Sequence, residues 1–178
     1  MDLINDMVTT DKLTAAFCRV LKDWAKQQPG NMQVHRATDP WNAVELLCQG
    51  PTEYRAVVVY AGDEAAGTDM PFSLITEHRW DVYVTLPLGL HMDPASVLTQ
   101  GTPARPALLR MVDELKGFCL ALRWPEDLTE TLMKYGGSEG ATLPDGLPIA
   151  AYRLRFSLVA ATATADEQDA VDVDMSGL

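Results

Sequence analysis

Residues 75–86, ITEHRWDVYVTL, alternate strictly between two kinds of side chain. One side of the run carries His78, Trp80, Val82, Val84 and Leu86, and the other carries Arg79, Asp81, Tyr83 and Thr85. This period predicts a β-strand with one face buried. Residues 149–161, IAAYRLRFSLVAA, repeat the pattern with Arg153 and Arg155 on the polar side. The fold must therefore bury one sheet face and leave a polar face for solvent, a ligand or another protein.

Three segments have the spacing of amphipathic helices. The first begins at Thr9, Thr10 or Asp11 and ends at Pro29–Gly30, and its apolar stripe is Leu13, Phe17, Val20, Leu21 and Trp24. The second, PWNAVELLCQG, has Asp39 as its cap and Pro40 in its first turn. The third runs from about residue 106 to residue 123.

The remaining segments predict further strands and three irregular loops. Residues 32–37 alternate, residues 54–62 are apolar on both sides as in a central strand, and residues 129–137 are a further candidate strand. The loops are residues 62–71, 87–106 and 136–148, which are polar or rich in glycine and proline.

These elements predict an α+β fold, a mostly antiparallel sheet with helices packed on one face. We expect a single domain over residues 1–161 and a disordered acidic tail over residues 162–178. If the two alternating strands are neighbours, Asp81 pairs with Arg153 or Arg155 across them.

Acidic residues dominate the charge, with 25 against 14 basic residues and a formal net charge of -11. Such a chain is repelled by phosphate, which argues against general nucleic-acid binding. Cys18, Cys48 and Cys119 lie in apolar surroundings and form no CxxC pair, so we expect three buried, free thiols in a reducing compartment. The N-terminus has no signal-peptide pattern, and no apolar run is long enough to span a membrane.

No motif predicts a catalytic, cofactor-binding or metal-binding residue. His35, His78 and His91 are scattered, and we expect them at surface or half-buried positions. Acidic residues in the 62–71 loop lack EF-hand spacing, GGSEG lacks the GK[ST] ending of a phosphate loop, and no GxSxG is present. We therefore expect a protein that is not an enzyme.

The order of the elements resembles that of the tail terminator, or tail completion, proteins of long-tailed bacteriophages and related contractile particles. Over residues 9–161, an N-terminal helix, a short strand and helix, and a VVVY strand precede HRWDVYVTL, PALLRMVDELKGFCLAL, MKYGG and YRLRFSLVA. The acidic tail and residues 87–106 are outside the resemblance.

This resemblance implies a structural virion protein without catalytic residues or cofactors. Its homohexameric ring would cap the head-proximal end of the tail tube, end tube polymerisation and offer a joining surface to head-tail connector or neck proteins. Assembly would take place in the host bacterial cytoplasm, with no membrane contact, and DNA would pass through the lumen without specific binding.

The candidate interface consists of polar residues of the two alternating strands and acidic residues of the 62–71 loop: Arg79, Asp81, Tyr83, Arg153, Arg155, Asp63, Glu64 and Asp69. This face contacts either a neighbouring subunit, the ring lumen or only solvent. Two other functions stay open, another neck or minor tail protein and, in a different class, a small enzyme or ligand-binding domain.

Overall fold

A computed structural model describes residues 9–28, 32–49, 54–70, 73–87, 98–100, 107–124, 132–141 and 149–163. Within these ranges the chain forms three helices and five strands, in the order α1 (Thr10–Ala25), β1 (Gln33–Ala37), α2 (Pro40–Cys48), β2 (Arg55–Met70), β3 (Ser73–Pro87), α3 (Leu108–Ala121), β4 (Lys134–Gly140) and β5 (Ile149–Ala163). None of these helices is long and apolar enough to cross a membrane.

The five strands form one sheet in the order β1-β2-β3-β5-β4. Only β1 and β2 are parallel, and the other three pairs are antiparallel. This arrangement confirms the predicted α+β class and the mostly antiparallel sheet. The two alternating strands, β3 and β5, are direct neighbours, paired from Ser73 with Ala163 to Pro87 with Ile149.

The main core lies between the sheet and helices α1 and α3. Phe17 of α1 packs against Trp80 and Phe156, with ring centroids 5.3 and 6.4 Å apart. The predicted apolar side of β3 is buried throughout, from His78 to Leu86. Thr9 caps α1 by accepting a hydrogen bond from the Lys12 backbone N–H.

Helix α2 packs on the opposite face, which is an arrangement the prediction of helices on one face did not include. Ala43 and Leu47 of α2 contact Val57 and Val59, whereas Ala56 and Val58 belong to the main core. Successive residues of a strand point to opposite faces. The two-sided apolar pattern of β2 therefore reflects helices on both faces at this end of the sheet.

Two predicted loops are partly strands. Residues 62–70 continue β2 and pair with β3, and residues 136–140 belong to β4. Both strands contain β-bulges, where an extra residue reverses the alternation, so the polar, glycine-containing sequence resembled a loop. Most of residues 87–106 and 142–148 lies outside the described part. Strand β5 continues to Ala163, two residues into the predicted tail. The rest of that tail, residues 164–178, lies outside the described residues.

Candidate functional site

Beyond α2, the same side of the sheet carries a row of paired charges that no described helix covers, which we call the ladder face. It is formed by β2, β3, β5 and β4, and its polar side chains are Glu64, Glu77, Arg79, Asp81, Lys134, Glu139, Arg153, Arg155 and Ser157. Tyr83 marks its boundary with α2, because Tyr83 packs against the Val57–Val59 cluster. The ladder face is the polar side predicted from the alternation.

Arg153 is the central cation of this surface. Its Nη2 donates to Asp81 Oδ2 at 2.7 Å, and its Nη1 donates to Glu139 Oε1 at 3.3 Å. Glu139 also pairs with Arg155, at 3.4 Å between Oε2 and Nη2. The hydrogen bond to Asp81 raises the pKa of Arg153. The predicted cross-strand pair thus forms with Arg153, although Arg155 is the residue directly opposite Asp81 in the register.

A second group of charges lies further along β3. Arg79 pairs with Glu64 and, at 3.3 Å, with Glu77. Ser157 donates to Glu77 at 2.8 Å. The hydroxyl of Ser157, with the guanidinium of Arg79, holds the pKa of Glu77 below its usual value. Sequence reasoning missed Glu77, although it lies in phase with Arg79 and Asp81.

The bulge in β4 determines where Glu139 points. Lys134 lies opposite Ser157, and the register then shifts between Tyr135 and Gly137, where Gly137 has φ 109°. The extra residue brings Glu139 opposite Arg153 on the ladder face. Alternation alone would have placed Lys134 and Glu139 on different faces, so no periodic signal in the sequence could have found this residue.

A shallow groove of about 440 Å³ lies between the two groups of charges. Arg79, Arg153, Arg155 and Ser157 line it together with the carboxylates Glu77 and Asp81, and Gly136 borders it. The exposed arginines at its rim offer planar donors and flat cationic surfaces, which suit carboxylates and aromatic rings. Their present partners are acidic groups of the same sheet.

Of the three acidic residues predicted for the interface from the 62–71 loop, Asp63 lies on the other face of the sheet. Asp63 lies opposite His78, on the side of α1, because the bulge between Tyr60 and Gly62 changes the phase of β2. Glu64 joins the ladder face, as described. Asp69 is part of β2, but its side chain is outside the described atoms.

Two predictions about buried groups are wrong. His78 is fully buried, with its Nδ1 3.0 Å from the Tyr60 hydroxyl, because its position in β3 faces the core. Burial lowers the pKa of His78, and burial with the nearby charge of Asp63 raises the pKa of Tyr60 to about 12. Cys48 is exposed, because it lies on the outer side of α2, whereas Cys18 and Cys119 are buried as expected. His91 is outside the described residues.

In the described part of the chain, no group of three or more His, Cys, Asp or Glu residues is arranged to hold a metal ion. Neither a protein-family model nor a curated protein matches this sequence.

Proposed function

We propose that this protein is a structural component of a phage-type tail, a tail terminator without enzymatic activity. A ring of its copies caps the head-proximal end of the tail tube, ends tube polymerisation and joins the head connector. The ring belongs to the virion and assembles in the host cytoplasm, and the ladder face contacts a neighbouring subunit.

The unequal length of strands and helices carries this proposal. Strand β2 has 16 residues, and β3 and β5 have 15 each, so these strands are about 50 Å long. Helices α1 and α3 have 16 and 14 residues, so they are about 24 and 21 Å long. Strands usually have 3–10 residues. Strands β2, β3 and β5 are therefore about twice as long as helices α1 and α3, which pack on the sheet. The charged face of the sheet supports a role in contacting other subunits.

The net charge of -11 supports the same function. A negatively charged ring repels the phosphates of DNA, so DNA would pass through its lumen without being held.

Negative-stain microscopy tests the proposal. The purified protein is imaged alone and with the tail-tube protein of the same phage. We expect rings at one end of each tube and shorter tubes as the amount of this protein increases. Tubes that grow to the same length with bare ends would overturn the terminator function.

Charge reversal tests the proposed role of the ladder face. Arg79→Glu and Arg155→Glu change exposed ladder arginines, and each should reduce ring formation. Arg110→Glu is the matched control, because Arg110 is exposed on α3 and pairs with Glu114. Equal ring formation by all three variants would contradict the interface, even if capping itself is observed.

Two alternatives remain distinguishable. Binding to portal or adaptor proteins, without tube binding, would indicate another neck component. The groove, where Arg79, Arg153 and Arg155 lie beside Glu77 and Asp81, favours a third function, a domain that binds a small ligand with an anionic group. A thermal shift of several degrees with one carboxylate or phosphate metabolite would support it, because a ligand that binds only the folded state stabilises that state.

A further inference from the structure

Helix α2 has an apolar outer surface, which we call the α2 outer face. Trp41, Val44 and Cys48 recur along it at helical spacing, with Glu45 beside them. Glu45 is the only charged residue among the nine residues of the helix. A helix that is apolar on all sides is normally buried. The outward side of α2 therefore has the composition of a contact surface.

Trp41 is the most prominent residue of this surface. It is 83% exposed, which is more than any other large hydrophobic residue in the described part of the chain. Exposed tryptophans that insert into a partner often contribute most of the binding energy of an interface. Asp39, which caps the helix, and Glu45 are both exposed, so Trp41 has acidic neighbours in sequence and on the helix.

The groove on the ladder face has the complementary properties. It is concave and has a volume of about 440 Å³, and exposed Arg79 and Arg155 line it beside the carboxylates Glu77 and Asp81, which are already paired with arginines of the same face. Arginine guanidinium groups stack on the faces of tryptophan rings. Arg155 is available for such stacking, because the ion pair that it forms among the described residues, to Glu139, is long at 3.4 Å.

The positions of the α2 outer face and the groove determine how two copies of the protein can be related by this contact. Helix α2 packs on β1 and β2 at one side of the sheet, and the groove lies over β3, β5 and β4 towards the other side. A contact between α2 of one copy and the groove of another joins different surfaces. Repeated contacts of this kind produce a closed ring or an open filament.

We propose that Trp41 of one copy inserts into the arginine-lined groove of a second copy, with Asp39 and Glu45 facing Arg79 and Arg155. This contact gives the proposed function its subunit interface, and its interpretation as a ring contact rests on that function. Contact between two α2 outer faces is disfavoured, because it would bring the acidic residues of both copies together.

Sedimentation velocity over a range of protein concentrations tests the contact without any other component. Wild-type protein should associate, and Trp41→Ala should weaken the association at least about tenfold. Leu120→Ala is the matched control, since Leu120 is a partly exposed residue of α3, on the opposite side of the sheet, and its replacement should change the affinity by less than about twofold.

Arg155→Gln examines the groove, and it should weaken the association as Trp41→Ala does. It removes the charge without introducing repulsion against Glu139, so folding should be retained, as circular dichroism would verify. Of the four tryptophans, Trp24 and Trp80 are buried and Trp124 is partly buried against the main core, so Trp41 is the one exposed to solvent. Association should therefore shift the tryptophan emission to shorter wavelength in wild-type protein and not in Trp41→Phe.

Monomeric wild-type protein at every concentration would overturn the contact, as would association that Trp41→Ala leaves unchanged. Neither result decides the proposed function, because capping of the tube is measured separately. Loss of association in Trp41→Ala and Arg155→Gln, with Leu120→Ala unaffected, would support the contact even if the tube is not capped.

Discussion

At the scale of single residues, β3 buries one histidine and one carboxylate, and it does so in different ways. His78 faces the main core, where its Nδ1 is bonded to Tyr60 while its Nε2 has no hydrogen-bond partner among the described residues. Asp81 faces the ladder, where its side chain is 11% exposed and bonded to Arg153. Burial favours neutral histidine, whereas the adjacent guanidinium compensates for the burial of a carboxylate.

The first prediction concerns the pH dependence of His78. Its pKa is below the ordinary 6.5 in the folded protein, so the unfolded chain binds protons more readily as the pH falls through 6.5. The free energy of unfolding should decrease by at most about 1.4 kcal/mol per pH unit below that value and be unaffected above it. Urea unfolding at about pH 7.5 and about pH 5.5 measures this.

His78→Gln should remove most of this dependence, and His35→Gln is the control. His35 also has a lowered pKa, but it is only half-buried in β1. An unchanged pH dependence in His78→Gln would show that another group is responsible.

The second prediction concerns the coupling of Asp81 with Arg153. Asp81→Ala removes the shortest hydrogen bond of the Arg153 guanidinium, whose side chain is only 34% exposed. The protein should therefore lose about 1–3 kcal/mol of stability. A double-mutant cycle with Arg153→Ala should give a coupling above about 0.5 kcal/mol. The exposed pair of Lys26 and Asp23 is the reference, where a coupling near zero is expected. Equal couplings in the two pairs would contradict the prediction.

At the scale of elements, the β-bulges position the site. In β4, the bulge at Gly137 brings Glu139 to Arg153, and in β2 the bulge at Gly62 places Glu64, instead of Asp63, on the ladder face. Gly62 has φ 104°, so both bulges contain glycine in a backbone conformation that other residues rarely adopt. Their placement could not be predicted, because a bulge interrupts the alternation that identifies strands.

The third prediction tests the bulge of β4. Gly137→Ala should destabilise the protein by about 1–3 kcal/mol, because its φ of 109° is strained for alanine. Gly140→Ala, in the same strand, has open space for a Cβ and a normal φ, and it should change stability by less than about 0.5 kcal/mol. Thermal unfolding of both variants measures the difference, and equal melting temperatures would refute it.

At the scale of the whole molecule, alternation and helical spacing were sufficient for the α+β class. Trp80 and Phe156 could be assigned to buried faces because the alternation within each strand is enough to show which side chains share a face. Strand order and the side on which α2 packs depend on contacts between distant segments, which a single sequence does not encode as a period. The ladder face could be predicted only in part. Arg79, Asp81 and Arg153 follow the alternation of their strands and were predicted, whereas Glu139 lies after a bulge and was not.

The fourth prediction concerns the charge of the whole protein. With a net charge of -11, it should not retard duplex DNA in a gel even at about 50 mM salt, where phosphate contacts are strong. A retarded band that disappears as salt increases would reveal a basic surface and contradict the proposed passage of DNA without binding.

The pairing of β3 with β5 has a consequence for when assembly can begin. Paired residues are 62 to 90 positions apart in the chain, from Pro87 with Ile149 to Ser73 with Ala163. Such distant contacts form slowly, because a long loop must close before any of them is made. The groove needs Arg153 and Arg155 of β5, the last described strand. A growing chain thus has no complete groove until β5 has been synthesised, which would delay the proposed contact between copies until each has folded.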